Sequence, residues 1–385
     1  MKKFHIAIIC DSIDSTLGGS YISAQRFARW LAQQWHHIIR CTSRFIESSR
    51  KKDFSYAKLY EFPSSFPIWP QHVRFAYAPI PRLVEIFEKE NIDIVYNIHP
   101  ALIGRQAYRA AKKLHIPIVS HSHIYTELLA PGLPRFFQGR IKKAIARFYK
   151  KCDGIIYPTA FAKKDFESFH FKNKEAVISN GVDTALFHPG KMHTHANFNI
   201  LFVGRLDPEK NIHILFEALN ELKLQHKIDN HVQCTIVGSW SEERKLHSLA
   251  EKYYLRDIVD FTGKIAAASP QLVQIYQNAS VYVLTSFYEL ESMTTLEAMA
   301  CSCPILIADS NYSAAKFFVH DNGYLFHPHD PKDLAEKLYQ LSKNPTLLDT
   351  MSKKSIEYSI NYSFKKSVEQ LESFFLSFCI VSFKK

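Results

Sequence analysis

The sequence lacks the runs and patterns that would place it in several large classes. No stretch approaches the ~20 apolar residues of a membrane-spanning helix. Met1-Lys2-Lys3 leads into a short strand and not a signal peptide. The seven cysteines are scattered and odd in number, so no disulfide framework is expected and a reducing cytosol is the default. Cys301-Ser302-Cys303 is too tightly spaced for a zinc pair and reads as apolar filling on a strand. There is no Asp-x-Asp cluster to hold a divalent metal, and no aromatic-basic motif or zinc spacing for reading nucleic acid. Short-period repeats and low-complexity tracts are also missing.

What is present is a globular composition, 46% hydrophobic and 22% charged, over 385 residues. That length is too great for one ordinary core and suggests two domains of ~150–200 residues. The formal net charge of +11 calls for an anionic partner: nucleic acid, a phosphorylated ligand or acidic lipid.

Short apolar runs alternate with helical patterns throughout. Phe4–Cys10, Ile38–Cys41, Asp93–Ile98, Ile118–Ser120, Gly154–Tyr157 and Ala176–Ser179 read as strands of a first series. Ile200–Val203, Gln233–Val237, Val259–Phe261, Val281–Leu284 and Ile305–Ala308 form a second. Tyr60–Pro81, rich in proline and aromatics, reads as a long irregular connection. Such alternation predicts α/β architecture with doubly wound parallel sheets. The polar stretch Phe187–Asn197 sets the boundary. Residues 1–190 are expected as one Rossmann-like domain, 191–355 as a second, and 356–385 as a C-terminal helix crossing back to the first. Two such domains facing each other would make a cleft between strand C-termini.

Ser286–Ala300 concentrates the chemistry. It follows the buried strand Val281–Leu284 and opens a helix through Leu296, Met299 and Ala300. Free backbone N–H groups at such a strand–loop–helix junction attract anions, phosphate above all. Glu289 in the loop and Glu297, expected in the first helical turn, have seven residues between them. Thr294-Thr-Leu-Glu297 also fits a capping box, in which Glu297 only returns a hydrogen bond to the helix start. Gly204-Arg-Leu-Asp-Pro-Glu-Lys210 follows the first strand of the second series. Arg205 can grip phosphate oxygens in a fork and Lys210 adds a point charge; a solvated basic loop is the alternative. The Gly18-Gly19 turn after the first strand suits close phosphate approach or an ordinary tight turn equally.

Arg135–Lys151 carries Arg140, Lys142, Lys143 and Arg147 among its seven basic residues and no acidic one. Phe136, Phe137, Ile141, Ile145 and Phe148 are interleaved. This fits a helix on an anionic membrane surface, or an ordinary helix with one solvated face. The apolar tail from Phe374 is a possible second anchor or packs on the first domain.

Together with Asn180-Gly-Val-Asp183, Ile236-Val-Gly238 and Phe261-Thr-Gly-Lys264, the order and spacing resemble the GT-B-fold glycosyltransferases of family 4 across nearly the whole chain, most closely from Asn180 to Phe326. The resemblance implies a retaining transferase that moves a hexose from a nucleotide diphosphate sugar. The missing Asp-x-Asp cluster and the cations Arg205 and Lys210 lead to the expectation that it needs no metal, and no cofactor is expected. Glu297 matches the second glutamate of the family's E-x7-E motif, on the nucleotide's ribose, and Glu289 the first, beside the sugar hydroxyls. Arg205 and Lys210 match the pair that neutralises the leaving diphosphate, and Gly19 the glycine loop that meets the phosphates. Lys264 and Ile265 fall where backbone groups meet the base. His123 resembles the histidine near the anomeric carbon, with Glu127 at an acidic position four residues on; a structural role, or metal ligation by His121 or His123, is the other reading.

The family's usual Gly-Phe-Gly-Leu-Pro segment is replaced by Leu290-Glu-Ser-Met-Thr294, so Glu291 is expected to contact a hydroxyl. Met293 and Thr294 in this donor segment are closer to a subgroup that glycosylates membrane lipids, diacylglycerol glucosyltransferases among them. Trp35 stands where the family commonly has glycine. The acceptor implied is a lipid or cell-envelope glycan precursor, and the place the cytoplasm or the inner face of the cytoplasmic membrane. A nucleotide-sugar epimerase, a non-catalytic nucleotide-sugar-binding protein and a nucleic-acid-binding protein are the rival readings.

Overall fold

The short apolar runs become the strands of two parallel sheets in the computed structural model, which describes residues 3–11, 19–44, 55–64, 75–124, 135–190, 197–228 and 231–379. The chain divides into two compact units, residues 1–179 with 367–385, and residues 180–366.

The first unit begins with β1 (His5–Ile9), α1 (Gly19–Gln33), β2 (His37–Ser43), β3 (Lys58–Phe62) and α2 (Ile80–Lys89). It continues through β4 (Ile94–Asn97), α3 (Leu102–Lys113), β5 (Ile118–His121) and α4 (Arg135–Tyr149), and ends with β6 (Gly154–Tyr157), α5 (Ala160–Lys164) and β7 (Lys174–Val177). The sheet order is β3-β2-β1-β4-β5-β6-β7. Its central strands are covered on both faces, which is why β1 and β4 read as unbroken apolar runs and not as alternating ones.

Strand β3 corrects the expectation of an irregular connection from Tyr60 onward. Its sequence, Lys-Leu-Tyr-Glu-Phe, lies at the sheet edge and is largely half-exposed, so it carries no continuous apolar signal. A buried carboxylate holds it instead. Glu90, at the end of α2, accepts from Lys58 Nζ (2.5 Å), Tyr60 Oη (2.6 Å) and His37 Nε2 (2.9 Å). Burial alone would raise the pKa of Glu90, but these three donors outweigh it and bring it down to about 2.

The second unit opens with β8 (Phe198–Val203), α6 (His213–Leu224), β9 (Val232–Val237), α7 (Glu243–Lys252), β10 (Val259–Gly263) and α8 (Pro270–Gln277). Then follow β11 (Val281–Leu284), α9 (Met293–Ala300), β12 (Ile305–Ala308), β13 (Gly323–Phe326), α10 (Pro331–Ser342) and α11 (Pro345–Ser359). The order is β10-β9-β8-β11-β12-β13. Alternate residues of each strand feed opposite cores, as the two-residue period of a strand requires. Ile200, Phe202, Val281 and Val283 pack on one side, and Leu201, Val203, Tyr282 and Leu284 on the other. The edge strand β13 was not foreseen.

The boundary falls at Ser179, before the expected residue 190. Residues after it belong physically to the second unit: Val182 and Phe187 are buried in its core. Val182 also exchanges backbone hydrogen bonds with Tyr362 and Phe364 (2.9 and 2.8 Å). The last helix, α12 (Phe364–Cys379), carries the chain back into the first unit from Ser367. There Glu372 accepts from His36 Nε2 at 2.8 Å, and Phe374 and Phe378 pack so closely on Gly154 that a Cβ there would fall 2.6 Å from the Phe378 ring. All seven cysteines are free thiols. Cys301 and Cys303 are buried filling as expected, though in the turn before β12 and not on a strand. The tail beyond Cys379 lies outside the described residues.

Candidate active site

In the second unit the chain order reverses between β8 and β11, the neighbours at the middle of the sheet. At the carboxyl ends of strands flanking such a reversal, α/β sheets leave a crevice for ligands. The loops after β8, β11 and β12 meet there. Thr285 Oγ1 donates to the Lys210 carbonyl (2.6 Å), the Phe287 amide to the Glu209 carbonyl (3.1 Å), and the Ala314 amide to the Glu289 carbonyl (2.8 Å).

This stitching brings Lys210 and Glu289 together, with Nζ 2.7 Å from Oε1 and both side chains largely covered. Lys210 ends a short 3-10 turn, Pro208–Lys210, two residues before α6. Arg205 stands on the same loop, Nη1 2.9 Å from Asp207 Oδ2 and Nη2 3.1 Å from Glu209 Oε1, with its guanidinium 5.9 Å from the Trp240 ring centre. Burial pushes the Asp207 carboxyl up, opposed by Arg205. The loops after β8 and β9 approach closely because position 238 is glycine. Its φ is +147°, and a Cβ there would fall 1.8 Å from the Gly204 carbonyl oxygen. Lys264 is exposed and Ile265 half-buried just past β10. They are two strands from β8, about 10 Å in sheet spacing.

The structure corrects the local reading of Glu297. Helix α9 begins at Met293 with Ser292 in the N-cap position, so Glu297 lies in the second turn, beyond capping-box reach. It is buried, and accepts from Tyr276 Oη at 3.1 Å. Ser292 holds φ +83°, an uncommon conformation for a residue with a side chain, and its hydroxyl pairs with Thr295 Oγ1 at 2.8 Å. Met293 and Thr294, both half-buried, form the first turn; Thr294 Oγ1 is bonded to Tyr282 Oη at 2.7 Å. Helix geometry leaves the leading amides of this turn without intrahelical partners. Glu291 is also buried, and its Oε2 accepts from the Asn180 amide (2.9 Å) and Asn180 Nδ2 (2.6 Å). Through Oε2 it fixes the start of this unit, a role the sequence reading did not include.

In the first unit, β5 ends at His121 and His123 follows, their rings 3.9 Å apart. Tyr96 Oη lies 2.6 Å from His121 Nδ1. Burial drives the pKa of His121 down to about 3 and that of His99 to about 4. Burial, reinforced by these two neighbours, holds His123 well below the ordinary range. All three are neutral imidazoles at pH 7. His123 Nε2 is covered and without a hydrogen-bond partner among the described residues, an orphaned polar atom of the kind a ligand would satisfy. Gly19 is exposed at the first position of α1, and the next residue, Ser20, has its hydroxyl 3.1 Å from His99 Nε2. His99 and the buried Asp11, whose pKa burial raises to about 7, were missed by the sequence reading. The signal was available: each is a polar residue just past the carboxyl end of a buried strand. Gly18 and Glu127 lie outside the described residues. Among the described residues no group of three or more His, Cys, Asp and Glu side chains could hold a metal ion.

Helix α4 separates its side chains differently from the expectation. Ile145 and Phe148 are buried core residues, and Lys142 pairs with Asp165, so these three do not face solvent as a set. Phe136 and Phe137 are exposed (66% and 48%), as are Arg140, Lys143 and Arg147. The Arg140 guanidinium lies 5.0 Å from the Phe136 ring centre. No helix among the described residues is long and apolar enough to cross a membrane.

Comparison with known proteins agrees with this architecture. Residues 17–186 match the Glycosyltransferase Family 4 model, and residues 189–358 match the model described as Glycosyl transferases group 1. The alpha-monoglucosyldiacylglycerol synthase of Streptococcus pneumoniae is 22% identical over 371 residues, 88% of this chain and 82% of that protein. A D-inositol 3-phosphate glycosyltransferase of Streptomyces bingchenggensis is 24% identical, over 71% of this chain and 64% of that one. Among solved structures, sucrose-phosphate synthase from Thermosynechococcus elongatus superposes with a TM-score of 0.78 at 19% identity, covering 98% of this chain and 100% of that one. Anabaena Alr3699/HepE in complex with UDP-glucose gives 0.75 at 18%, covering 97% and 100%. With both family models matched in order along the chain, the protein belongs to the group 1/family 4 glycosyltransferases of GT-B fold and is a glycosyltransferase.

Proposed function

We propose that the chain is a retaining, metal-independent transferase that moves a hexose from a nucleotide diphosphate sugar to a hydroxyl of a membrane lipid or glycan precursor. The observation that carries this is the junction of Arg205, Lys210 and Glu289 at the reversal point of the second sheet. A departing diphosphate needs cationic and N–H groups already in place, often the largest single contribution to such a reaction. Arg205, Lys210 and the leading amides of α9 supply both kinds. In the transfer the bond from the anomeric carbon to the diphosphate oxygen breaks with its electrons on that oxygen. The acceptor oxygen bonds to the same face of the sugar, and its proton goes to the leaving phosphate. No covalent enzyme nucleophile is required.

Glu297 is assigned to the ribose, Glu289 to the sugar hydroxyls, and Lys264 and Ile265 to the base. His123 carries over as the group near the anomeric carbon. A neutral ring suits that role, because it adds no positive charge against the one developing on the sugar. The lipid acceptor is supported by the exposed Phe136, Phe137, Arg140, Lys143 and Arg147 of α4, which suit docking on the inner face of the cytoplasmic membrane.

The deciding experiment incubates the protein with radiolabelled nucleotide sugars and a total lipid extract, and assigns the product's anomeric configuration by NMR. Label in a glycolipid with the donor's configuration is expected. Inverted product would remove the retaining assignment, and conversion of the donor to its epimer without transfer would make the chain an epimerase.

A further inference from the structure

A pocket of about 210 Å³ lies between α3 and α4 of the first unit, outside the groups assigned to donor chemistry. Arg105 and Arg109 come from one face of α3, Arg147 from α4, and Lys151 from just after it. The floor is apolar: Phe148 is buried, and Tyr108 meets it edge-on with ring centres 6.2 Å apart.

The charge here is one-sided. Neither α3 nor α4 contains an aspartate or glutamate. The nearby Asp153 is taken by Lys112 at 2.9 Å, and Asp165 by Lys142. Arg105 spends only Nε, on the Pro100 carbonyl at 3.1 Å, and its guanidinium rests 5.8 Å from the centre of the Phe148 ring. None of the four pocket cations has a carboxylate partner among the described residues. Like charges gathered around one small volume repel one another, and an anion placed among them reverses the sign of that energy.

We propose that this pocket is a binding site for the phosphate group of a ligand. Arginine forks match phosphate oxygens in pairs, and the lysine adds a compact charge at the rim. The Tyr108–Phe148 floor takes the carbon skeleton next to the phosphate. A lipid head group and a soluble phosphorylated molecule offer the same chemistry, and the two are separated by experiment. The proposal does not depend on glycosyl transfer and is read by binding alone.

Two probes are used on the full chain: glycerol 3-phosphate by titration calorimetry, and phosphatidylcholine vesicles with or without phosphatidic acid by sedimentation. Arg109→Gln with Arg147→Gln should lower affinity for the responding probe about thirtyfold. Arg244→Gln with Lys252→Gln removes the same charge from exposed positions of the second unit, outside the pocket and outside α4, and should stay within about threefold. Ala144→Leu, which fills the pocket without changing charge, should also weaken binding. All five changes are on exposed or half-buried positions, and circular dichroism confirms the fold of each variant. Binding of glycerol 3-phosphate by the free protein identifies a soluble source, and binding confined to phosphatidic acid vesicles identifies a lipid one. Equal losses in both double variants with no effect of Ala144→Leu would reduce the pocket to part of a diffuse field and overturn the proposal, as would binding of neither probe.

Discussion

Lys210 Nζ sits 2.7 Å from Glu289 Oε1, joining the loop after β8 to the loop after β11 across the point where the sheet reverses. The ammonium is therefore placed before any diphosphate arrives, and the carboxylate is held by the same contact. In the proposed reaction Lys210 neutralises the leaving diphosphate, so replacing it with Met would remove that charge and leave Glu289 without this partner. The expected result is a fall in kcat of about 10²–10³. Glu289→Gln tests the other half, and the double variant should lose much less than the product of the two single effects, because the residues act as one unit. If Lys210→Met keeps kcat within a few fold of the parent, the leaving diphosphate is stabilised elsewhere.

Two cations on that junction also bear on metals. With Arg205 and Lys210 assigned to the diphosphate oxygens, turnover in excess chelator should equal turnover with magnesium. A requirement for Mg²⁺ or Mn²⁺ would take the charge-neutralising role away from the pair.

Glu297 lies too deep in α9 to cap it, so its substitution can be read at the ligand. Glu297→Gln keeps an acceptor for Tyr276 Oη while removing the charge. Donor binding should weaken by ~1–3 kcal/mol through the loss of a charge-assisted hydrogen bond. Tyr276→Phe serves as the control for the internal contact alone. Titration calorimetry showing full affinity in a folded Glu297→Gln variant would leave Glu297 with only its internal role.

How much of this was legible follows from where each element sits. Val281–Leu284 and Ile305–Ala308 were placed to the residue because they are buried on both faces and bounded by polar residues. Lys58–Phe62 and Gly323–Phe326 were missed because edge strands are half-solvated, and β3 is held by a carboxylate 30 or more residues away in sequence from the side chains it accepts from. Arg205, Lys210, Glu289 and Glu297 were visible because their spacing follows strand–loop–helix units. The partner of Glu291 was not, since Asn180 is 111 residues distant. Trp35 shows the converse: its φ of +67° is the backbone that glycine adopts most easily, so the departure from glycine marked a real turn.

The buried histidines weaken the first unit as pH falls below the ordinary imidazole range. His99, His121 and His123 are neutral when folded and take up protons when unfolded, so each contributes stability that is present above an ordinary pKa of 6.5 and lost as pH falls. Asp11 acts in the opposite sense. Its raised pKa, about 7, gives stability present below 3.8 and lost as pH rises through 7. Between pH ~4.5 and ~6 the buried histidines outweigh the one aspartate, so the stability of the first unit rises with pH. His121→Phe should flatten this dependence and Asp11→Asn should steepen it. Urea midpoints across that window measure both, and an unchanged slope in His121→Phe would mean that His121 is not buried in neutral form.

The exposed aromatics of α4 give the membrane reading its sharpest test, because charge alone cannot explain them. Phe136 and Phe137 stand in solvent next to each other, while Ile145 and Phe148 of the same helix are folded into the core. The N-terminal end of α4 is thus the part left for an interface. Burying one phenyl side chain in an apolar medium is worth about 1.5–3 kcal/mol. Each basic residue near an anionic surface adds about 1 kcal/mol within a Debye length. Sedimentation with anionic vesicles should therefore show two separable components. Raising salt weakens the contribution of Arg140, Lys143 and Arg147, whereas Phe136→Ser with Phe137→Ser lowers affinity by tenfold or more, about 1.4 kcal/mol, at every salt concentration. Loss only with salt would make α4 a charged face that attracts vesicles without entering them. If the parent protein ignores anionic vesicles at low salt, docking is excluded, and a soluble hydroxyl compound becomes the acceptor to seek.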